Sequence, residues 1–454
     1  MAKIAVVGCG YVGLGTAAVF ADLGNQVIGL DVDATRVERL QAGDCPIFEP
    51  GLEEILLRNV QAGRLRFTTE YAEALVEAEF AFICVSTPMG PHGGANMRYV
   101  RQAARSIGQH LAPGRRTIVV NKSTMPPGSG DLVGALLGEE ISQDARYAVV
   151  ANPEFLREGT AVQDMLHPDR VVLGATDRTA AEAVATLYQP FNAPIVITNL
   201  RTAEMIKYAA NAFLATRISF INEIAHICEA LGADVRQVSQ AIGLDKRIGP
   251  HFLNAGIGFG GSCFPKDAQA LEYMAAVADC YPQLLRAVLD INRAGRRSFV
   301  SKLDRMLGGL DGRVIAVWGL AFKPNTDDLR EAPALDIIRE LISCGAQVKA
   351  YDPAAMPNAR ELLPGIGFCS DPYEAAAGAD AVALITEWNE FKGLDLGRVH
   401  SLMRRAVLVD GRNLYDPYEM ASLGFTYRGV GVPVVEALEG EPEEVEVQQL
   451  VSGD

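Results

Sequence analysis

The sequence predicts an α/β protein in which two doubly wound parallel-sheet domains are joined by a long central helix and a further helical region. Three observations support this prediction. A glycine-rich turn separates two apolar segments near the N-terminus, and a second strand–helix–strand pattern covers 313–352. Between them, 201–232 carries a helical pattern of apolar residues without a proline. Apolar strands that alternate with helices are typical of parallel sheets.

The composition is that of a globular protein with an acidic balance. The 454 residues are 49% hydrophobic and 21% charged, and the formal net charge is −15. Seven acidic residues and no Lys or Arg lie in 436–454, so the rest of the chain carries a net charge of −8. This charge is a poor match to nucleic acid or to an anionic membrane, and we predict neither as a partner.

The location predicted from the sequence is the cytoplasm. The uncharged stretch 4–21 resembles a signal or membrane segment, but four glycines interrupt it and no small-residue cleavage site follows. The eight cysteines form no CxxC pair, as expected of reduced thiols in a large intracellular protein. No metal site is predicted.

The first strand, 3–7, leads into the turn Gly-Cys-Gly-Tyr-Val-Gly and an alanine-rich helix that we expect to end near Gly24. Gly8 permits the tight turn, Gly10 lets the backbone approach a pyrophosphate, and Gly13 lets the helix pack on the strand. The start of the helix then faces the phosphates. The pattern predicts a dinucleotide site, and the alternative is a strand–helix turn that is merely tight. The expected contacts are Gly8, Gly10, Tyr11, Val12 and Gly13.

An acidic residue ends the second strand, 26–31. Asp31 follows Gly13 by 18 residues, a position from which a carboxylate can bind the ribose diol. The same carboxylate would repel a 2′-phosphate, which favours NAD over NADP as the cofactor. Arg36 lies nearby and leaves NADP open from the residues alone.

Two hydroxyl residues follow the next buried strands, 81–85 and 117–120. In open parallel sheets the ligands lie beyond the carboxyl ends of the strands. We therefore predict Thr87 and Thr124 as cofactor contacts. The alternative for each is an ordinary turn or cap hydroxyl.

The strand 148–150 leads into Asn-Pro-Glu-Phe-Leu-Arg-Glu-Gly at 152–159. We expect Glu154 and Glu158, four residues apart, to share one face of a short helical turn. One carboxylate could then act as a base while the other orients groups. A solvated acidic turn is the alternative.

The long helix predicted over 201–232 carries two polar side chains on one face. Lys207 and Asn211 are four residues apart and present a cationic and a neutral donor to the same point. A surface lysine is the usual alternative, but the neighbours of Lys207 are apolar, where an ammonium without a partner is costly.

The segment 256–267 contains four glycines followed by a cysteine. We expect the glycines to bring the backbone close to a ligand and to present Cys263, with Lys266 and Asp267 behind it. Nearby cations lower the pKa of a thiol, so this setting favours a nucleophile. A packing cysteine is the alternative, although a glycine-rich loop is a poor place for one.

The domain organisation follows from these patterns. A second mononucleotide-type unit begins at 313, without the glycine signature, and 308–312 is a natural boundary. We predict two Rossmann-like domains joined by the long helix and a helical dimerisation region. Their expected bounds are 1–200 for NAD binding, 201–310 for the central helical region with the cysteine loop, 311–432 for the C-terminal domain and 433–454 for an acidic flexible tail.

Five ordered segments resemble the UDP-glucose/GDP-mannose dehydrogenase family. They are GCGYVGLG (8–15), NPEFLREG (152–159), EMIKYAANAF (204–213), DKRIGPHFLNAGIGFGGSCFPKD (245–267) and GLAFKPNTDDLREAP (319–333). The resemblance implies NAD-dependent oxidation of a sugar CH2OH to a carboxylate, with four electrons transferred to two NAD and no release of the aldehyde. Residues 245–247 resemble the branch that converts UDP-glucose to UDP-glucuronate.

The resemblance also implies a set of catalytic roles. Lys207 and Asn211 stabilise the alkoxide, and Asp267 works with Lys207 and a water to take the proton. Cys263 attacks the aldehyde to give a thiohemiacetal, which is oxidised to a thioester. Glu154 is the base for the hydrolytic water, with Thr124 as its hydrogen-bond partner. Glu158 is a cofactor contact by the same resemblance, and the two glutamates could be exchanged.

Further binding residues are implied by the same resemblance. Lys266 and Arg330 are carried over as cofactor contacts in addition to those of the glycine turn. The expected substrate contacts are Glu154, Phe155, Leu156, Arg157, Glu158, Lys207, Asn211, Arg247, Phe252, Leu253, Asn254, Ala255, Gly256, Gly260 and Lys323.

Other functions remain open at this point. One alternative is a dehydrogenase of GDP-mannose or a UDP-N-acetylhexosamine, and another is a two-electron hydroxyacid-type dehydrogenase that needs no thiol. A non-catalytic NAD-sensing module is a third. The apolar face of the long helix predicts a homodimer through about 201–300.

Overall fold

The computed structural model describes residues 1–435, and these fall into two compact units. The first unit consists of Met1–Thr216, Gly260–Leu289 and Asn325–Asp327. The second begins with Arg217–Phe259, continues with Asp290–Pro324 and then takes up the chain from Asp328. The predicted acidic tail lies outside the described residues from 436 onward.

The first unit is built on an eight-stranded sheet with the order β3-β2-β1-β4-β5-β6-β7-β8. The strands are β1 (Lys3–Val7), β2 (Gln26–Leu30), β3 (Leu65–Thr68), β4 (Phe80–Ile83), β5 (Arg116–Asn121), β6 (Arg146–Ala151), β7 (Val171–Ala175) and β8 (Ile195–Thr198). The order reverses between β1 and β4, where a doubly wound sheet opens the crevice that binds ligands.

One pairing in this sheet departs from the predicted parallel arrangement. Strands β6 and β7 pair antiparallel through two residue pairs, whereas every other neighbouring pair in this sheet is parallel. A parallel connection needs a crossover that spans the sheet. Only the six-residue helix Ala161–Leu166 lies between these strands, so β7 returns in the opposite direction.

Helices cover both faces of the first sheet. They are α1 (Tyr11–Asp22), α2 (Ala34–Gln41), α3 (Leu52–Gln61), α4 (Tyr71–Leu75), α5 (Arg98–His110), α6 (Ser129–Glu140), α7 (Ala161–Leu166) and α8 (Arg178–Tyr188), with single 3₁₀ turns at Pro91–Gly93 and Gln189–Phe191. Two separate apolar clusters fill the spaces between sheet and helices. Strand β4 is buried along its whole length, as expected of a strand covered on both faces.

The predicted long helix is confirmed. Helix α9 (Leu200–Leu231) has 32 residues and is about 48 Å long. It is followed by α10 (Val235–Gly243), α11 (Phe264–Val277) and α12 (Gln283–Leu307). Both α9 and α12 contribute residues to each of the two units.

The second unit contains a six-stranded parallel sheet with the order β11-β10-β9-β12-β13-β14. Its strands are β9 (Val314–Trp318), β10 (Gln347–Tyr351), β11 (Gly367–Phe368), β12 (Ala381–Leu384), β13 (Val407–Asp410) and β14 (Thr426–Arg428). Its helices are α13 (Pro333–Ser343), α14 (Met356–Leu362), α15 (Pro372–Ala376), α16 (Asn389–Lys392), α17 (Leu396–Leu402) and α18 (Pro417–Ser422). This order repeats that of β1–β6, which confirms the predicted pair of Rossmann-like sheets.

An aspartate also follows the second strand of the second sheet. Asp352 follows β10 as Asp31 follows β2, and its carboxylate accepts five hydrogen bonds from the protein. Its donors are the backbone N–H groups of Leu320, Ala321, Ala354 and Ala355 and the indole of Trp388. The carboxylate therefore stabilises the turn after β9. The sequence does not predict this role, because this turn lacks the glycine signature.

Candidate active site

The glycine turn after β1 has the geometry that a dinucleotide requires. Gly8 has φ +99°, a conformation that favours glycine, and a Cβ on Gly13 would collide with the carbonyl of Gly8. A Cβ on Gly10 would meet no atom within 4 Å, so the space beside it is open. No side chain caps the start of α1. The open space and the uncapped backbone N–H groups fit a pyrophosphate.

The acid after β2 lies beside this turn. Asp31 Oδ2 accepts a hydrogen bond from the backbone N–H of Cys9 at 2.8 Å and forms an ion pair with Arg36 Nη1 at 3.2 Å. The Arg36 guanidinium is thus neutralised by Asp31 instead of being presented to a 2′-phosphate. This arrangement fits NAD better than NADP.

The hydroxyl residues after β4 and β5 bind each other. Thr87 Oγ donates to the backbone carbonyl of Thr124 at 2.9 Å, and both residues are buried. Ser123 adds a second link through a hydrogen bond from its Oγ to the carbonyl of Val85 at 2.7 Å. The ends of β4 and β5 are thereby joined beside the point between β1 and β4 where the sheet order reverses.

A buried ion pair joins α9 to the segment that follows β6. Lys207 Nζ lies 3.0 Å from Glu154 Oε1, and Lys207 is only 2% exposed. The other oxygen of Glu154 accepts the backbone N–H of Leu156 at 2.6 Å. Lys207 also lies over the ring of Phe155, 5.5 Å from its centroid. A buried ammonium is stable only with such partners.

The prediction of a helical turn at 152–159 is wrong. Residues 152–157 form no regular element, and a turn begins only at Glu158. Glu154 binds Lys207, whereas Glu158 accepts a hydrogen bond from Ser262 Oγ at 2.8 Å. The backbone is held open by these long-range partners, which local spacing cannot reveal. The two carboxylates therefore have separate partners.

Arg157, between these two glutamates, is directed at helix α7. Its guanidinium forms an ion pair with Asp164 at 2.5 Å, and the same carboxylate accepts its backbone N–H at 2.9 Å. The Arg157 side chain is largely exposed. Arg157 therefore binds α7 and not the buried ion pair.

The predicted nucleophile lies at the start of α11. Cys263 is the residue before the helix, and Ser262 Oγ is 3.4 Å from its Sγ. Four residues on, Asp267 accepts hydrogen bonds from Asn211 at 2.6 Å and from Lys266 at 2.6 Å. Asp267 thus links α11 to the face of α9 that carries Lys207.

The expectation that the pKa of the thiol lies below its ordinary value is wrong. The pKa of Cys263 is raised to about 11, chiefly by burial and also by the carboxylates of Glu154 and Asp267. Lys207 lowers the pKa of the thiol, but not enough to offset burial. Cys263 is therefore a thiol at neutral pH and must transfer its proton before it can attack.

Lys207 and Glu154 are both charged. Burial raises the pKa of Glu154, but Lys207 and the Leu156 N–H outweigh it, so the pKa lies below its ordinary value. Burial lowers the pKa of Lys207, but the anionic forms of Glu154, Cys263 and Asp267 raise it above its ordinary value. Each group holds the other in its ionised form.

Two glycines of the cysteine loop approach the protein, not an open space. A Cβ on Gly256 would lie 2.8 Å from the carbonyl of Gly411, and one on Gly258 would collide with Asn292. The requirement for glycine at these two positions thus comes from packing in the second unit. The expected close approach to a ligand is not needed to explain them.

Two residues that the sequence analysis missed hold this loop. The side-chain amide of Asn292 pairs with both the N–H and the carbonyl of Phe259, at 2.7 and 3.0 Å. Arg296 donates to the same carbonyl at 2.9 Å. Their spacing of four residues on α12 is the only local signal, and it does not identify a loop as their partner.

Glu204 is a third residue that was missed. It lies one turn before Lys207 on α9 and accepts hydrogen bonds from the backbone N–H groups of Gly128 and Gly130, at 2.6 and 2.7 Å. Burial raises the pKa of Glu204 to about 7. It fastens the start of α6, and so the segment that follows Thr124, to the helix that carries Lys207.

The remaining predicted contacts lie in the second unit, except Gly260, which belongs to the first. Arg247 is exposed and paired with Asp245 at 2.6 Å. Arg330 is paired with Asp328 at 2.7 Å, and Lys323 lies over the ring of Phe322 at 5.6 Å. In the segment before Gly256, the buried residues are Leu253 and Ala255, while Phe252 is half-buried and Asn254 exposed.

The described residues contain neither a candidate metal site nor a helix that could span a membrane. In residues 1–435, no group of three or more His, Cys, Asp or Glu side chains is arranged to hold a metal ion. No helix in this part of the chain is long and apolar enough to cross a membrane. All eight cysteines are free thiols, and four of them are buried.

The glycine turn, the acid after β2 and the buried Lys207–Glu154 pair beside a cysteine are the features of an NAD-dependent dehydrogenase. Models of the UDP-glucose/GDP-mannose dehydrogenase family match the chain in three consecutive parts. These are the NAD binding domain at 2–192, the central domain at 201–294 and the UDP binding domain at 316–417. The chain belongs to this family.

Individual relatives agree with this assignment. The UDP-glucose 6-dehydrogenase TuaD of Bacillus subtilis (strain 168) is 47% identical over 440 residues, 97% of this chain and 95% of that protein. The solved UDP-glucose dehydrogenase of Pyrobaculum islandicum has a TM-score of 0.90 and 43% identity, covering 95% of this chain and 98% of that one. The UDP-D-ManNAc dehydrogenase of Pyrococcus horikoshii has a TM-score of 0.84 and 28% identity, covering 94% and 99%. The predicted family, fold class and cofactor are confirmed.

Proposed function

We propose that the protein oxidises C6 of UDP-glucose to give UDP-glucuronate through a covalent intermediate on Cys263, with two NAD consumed per product. One observation supports this most directly: the ionisable thiol of Cys263 is coupled electrostatically to Lys207, Glu154 and Asp267 in a single buried cluster. A dehydrogenase that transfers two electrons needs a cation and a base, but it has no use for a thiol in that cluster.

The first oxidation uses the face of α9. Bound NAD supplies the hydride acceptor, and the contacts that we assign to it are Gly8, Gly10, Tyr11, Val12, Gly13, Asp31, Arg36, Thr87, Thr124, Glu158, Lys266 and Arg330. The Lys207 ammonium and the Asn211 amide stabilise the alkoxide that forms at O6. Asp267, which Asn211 and Lys266 hold in place, takes the proton through a water molecule together with Lys207.

The covalent steps use the thiol. Because the pKa of Cys263 is about 11, its proton must pass to a neighbouring base as sulfur attacks the aldehyde. The thiohemiacetal retains the aldehyde, and its oxidation leaves a thioester. Glu154 then takes a proton from the hydrolytic water, with Thr124 as its hydrogen-bond partner. Glu154 is favoured over Glu158 for this role because it is the one paired with Lys207.

The choice of UDP-glucose rests on the relatives. Proteins named UDP-glucose 6-dehydrogenase are 39–47% identical to the chain over most of its length. The solved dehydrogenases of other nucleotide sugars are 26–32% identical. We assign sugar-nucleotide contacts to Phe155, Leu156, Arg157, Arg247, Phe252, Leu253, Asn254, Ala255, Gly256, Gly260 and Lys323, together with the residues of the buried cluster.

Incubating the purified protein and NAD with a panel of UDP- and GDP-sugars tests this proposal. We expect UDP-glucose to be the preferred substrate and to give two NADH per molecule of acid, with no free aldehyde. Preference for GDP-mannose or a UDP-N-acetylhexosamine would instead place the protein in another branch of the family. One NADH per sugar would favour a two-electron enzyme, and none with any sugar would favour an NAD sensor.

We also propose a homodimer formed through the central helices. Phe213, Phe220 and Ile227 recur every seven residues on α9, and all three are exposed, Phe213 by 62%. A helix that exposes an apolar stripe on the side away from its own core is typical of a partner interface. Leu284 at the start of α12 is also exposed.

Light scattering of the full chain is expected to give the mass of a dimer. Phe220→Glu should shift the equilibrium towards the monomer, because it places a charge in the apolar stripe, while Tyr418→Glu on α18 should leave it unchanged. A wild-type monomer, or a Phe220→Glu variant that dimerises as strongly as the wild type, would refute this interface.

We propose a cytoplasmic location. The support for it is chemical: eight free cysteines without a disulfide partner are typical of a reducing compartment.

A further inference from the structure

A second lysine is buried near the candidate site, and the mechanism above does not use it. Lys122 follows β5 directly and is 7% exposed. Its Nζ donates to Asn152 Oδ1 at 3.3 Å and to Tyr188 Oη at 3.1 Å, and it lies 5.6 Å from the centroid of the Tyr188 ring. Both oxygens are neutral. Within residues 1–435, Lys122 forms no ion pair with a carboxylate.

A buried ammonium held only by neutral oxygens is costly, so its presence needs a reason. Packing alone does not provide one. Tyr188 Oη also donates to Asn152 Oδ1 at 2.5 Å, and Asn152 Nδ2 donates to the carbonyl of Val172 at 3.1 Å. Asn152 and Tyr188 would therefore keep hydrogen-bond partners if the ammonium were absent.

The position of Lys122 relates it to two residues of the candidate site. Strands β5 and β6 are parallel and end in register at Asn121 and Ala151. Lys122 and Asn152 are the next residues on each strand, and the hydrogen bond between them joins the two strand ends. Two residues further along these chains lie Thr124 and Glu154. Lys122 thus lies at the start of the segment that carries Thr124 and is hydrogen-bonded to the start of the segment that carries Glu154. These two residues are the proposed hydrolytic pair.

We propose that Lys122 is a positioning residue whose positive charge keeps Glu154 ionised as the base for thioester hydrolysis. This inference rests on the proposed function. Lys207, the other cation at Glu154, is on α9 and interacts with substrate oxygen in the proposed first oxidation. Lys122 lies at the end of β5 and is hydrogen-bonded to Asn152 and Tyr188, and the proposed reaction gives it no contact with the substrate.

The other groups around Glu154 set the direction of the effect. Lys207, the Leu156 N–H and Lys122 all lower the pKa of Glu154, whereas burial raises it. The thiols of Cys263 and Cys84 face the same carboxylate, and its charge raises the pKa of each of them. Removal of Lys122 therefore raises the pKa of Glu154, and more of the base is protonated at a given pH.

Hydrolysis of the thioester, the step that this affects, needs no group beyond water, Glu154 and Cys263. Water attacks the thioester carbon, Glu154 takes the proton of the water, and the carbon–sulfur bond breaks. The Cys263 thiolate that leaves then receives this proton. Glu154 must be ionised at the start of the step, so the rate of hydrolysis falls at acid pH as Glu154 is protonated.

The test is the pH dependence of acid formation in single turnovers of UDP-glucose by the full-length protein. In Lys122→Met we expect the acid limb of this profile to lie about one pH unit above that of the wild type, with the plateau at higher pH retained. Lys122→Arg keeps the charge and should follow the wild-type limb. Tyr188→Phe removes one of the two oxygens that accept from Lys122 but no charge. The acid limb of its pH profile should also match that of the wild type.

The melting temperature gives an independent readout. Replacement of a buried charge by an apolar side chain of similar length is often neutral or stabilising. Lys122→Met should therefore melt no lower than the wild type. An unshifted limb in Lys122→Met, or an equal shift in Tyr188→Phe, would overturn the inference. If the wild type itself does not form two NADH per acid, the proposed function fails instead, and the two failures are distinct.

Discussion

Replacing Cys263 with alanine is expected to reduce the formation of acid from UDP-glucose on the order of 10⁴-fold. The variant retains Lys207, Asn211 and Asp267, so the first hydride transfer remains possible. Without sulfur there is no thioester, and the second oxidation has no covalent substrate. At most one NADH should form per enzyme-bound sugar. Quantifying NADH and acid in the same reaction measures both effects.

The exposed cysteine next to the end of α11 provides the matched control. Cys280→Ala removes a thiol from the same unit, and its rate should stay within about twofold of the wild type because exposed substitutions rarely disturb a distant site. Circular dichroism should establish that both variants are folded. Full oxidation to acid by Cys263→Ala, with two NADH per sugar, would show that the covalent mechanism is wrong.

Replacing Lys207 with methionine is expected to abolish turnover and to reduce the free energy of unfolding by about 3–5 kcal/mol. The loss of stability follows because Glu154 is left as a buried carboxylate without its ion-pair partner. The loss of activity follows because no ammonium remains to stabilise the alkoxide at O6. Urea denaturation followed by circular dichroism measures the first effect, and NADH formation measures the second.

The double variant Lys207→Met with Glu154→Gln separates the two consequences. It should recover much of the lost stability, since neither position of the former ion pair then carries a charge, but none of the activity. Arg201→Met on the same helix removes an exposed cation and should cost less than about 1 kcal/mol. Equal stability of the single and double variants would contradict the assignment of the cost to the ion pair.

The stability contributed by this pair should also depend on pH. The pKa of Glu154 lies below its ordinary value of 4.5, so its contribution is complete above that value and is lost as the pH falls through the folded-state pKa. The pKa of Lys207 lies above its ordinary value of 10.5, so its contribution is complete below 10.5 and is lost at higher pH. The stability gap between wild type and Lys207→Met should therefore shrink at acid pH.

Much of the fold could be predicted because the relevant signals are local. The glycine spacing at 8–13 predicted the turn, since a tight turn and a close helix start demand particular backbone angles at particular positions. The apolar periodicity of 201–232 predicted α9 within one residue at each end. Strands such as β1, β4, β5 and β9 were predictable because strands covered on two faces are short apolar segments.

The candidate site was harder to predict from the sequence than the fold. The wrong expectations share a cause, which is that contacts between distant segments outweigh local spacing. The spacing of Glu154 and Glu158 suggested a helical turn, but Lys207 and Ser262, which lie far away in the chain, hold them apart. The charges near Cys263 suggested a lowered pKa, but burial dominates and raises it. The glycines at 256 and 258 suggested a ligand, but Gly411 and Asn292 occupy that space.

The sequence by itself determined the two sheets, the dinucleotide turn, the long helix and the identity of the chemically capable residues, because each depends on neighbours within a few positions of the chain. Only the tertiary structure decided which charges are paired, which thiol is protonated, and which residues, such as Asn292 and Glu204, hold the neighbouring segments in place. Those properties depend on burial and on contacts between distant segments, since the removal of water is what makes a charge costly and a partner necessary.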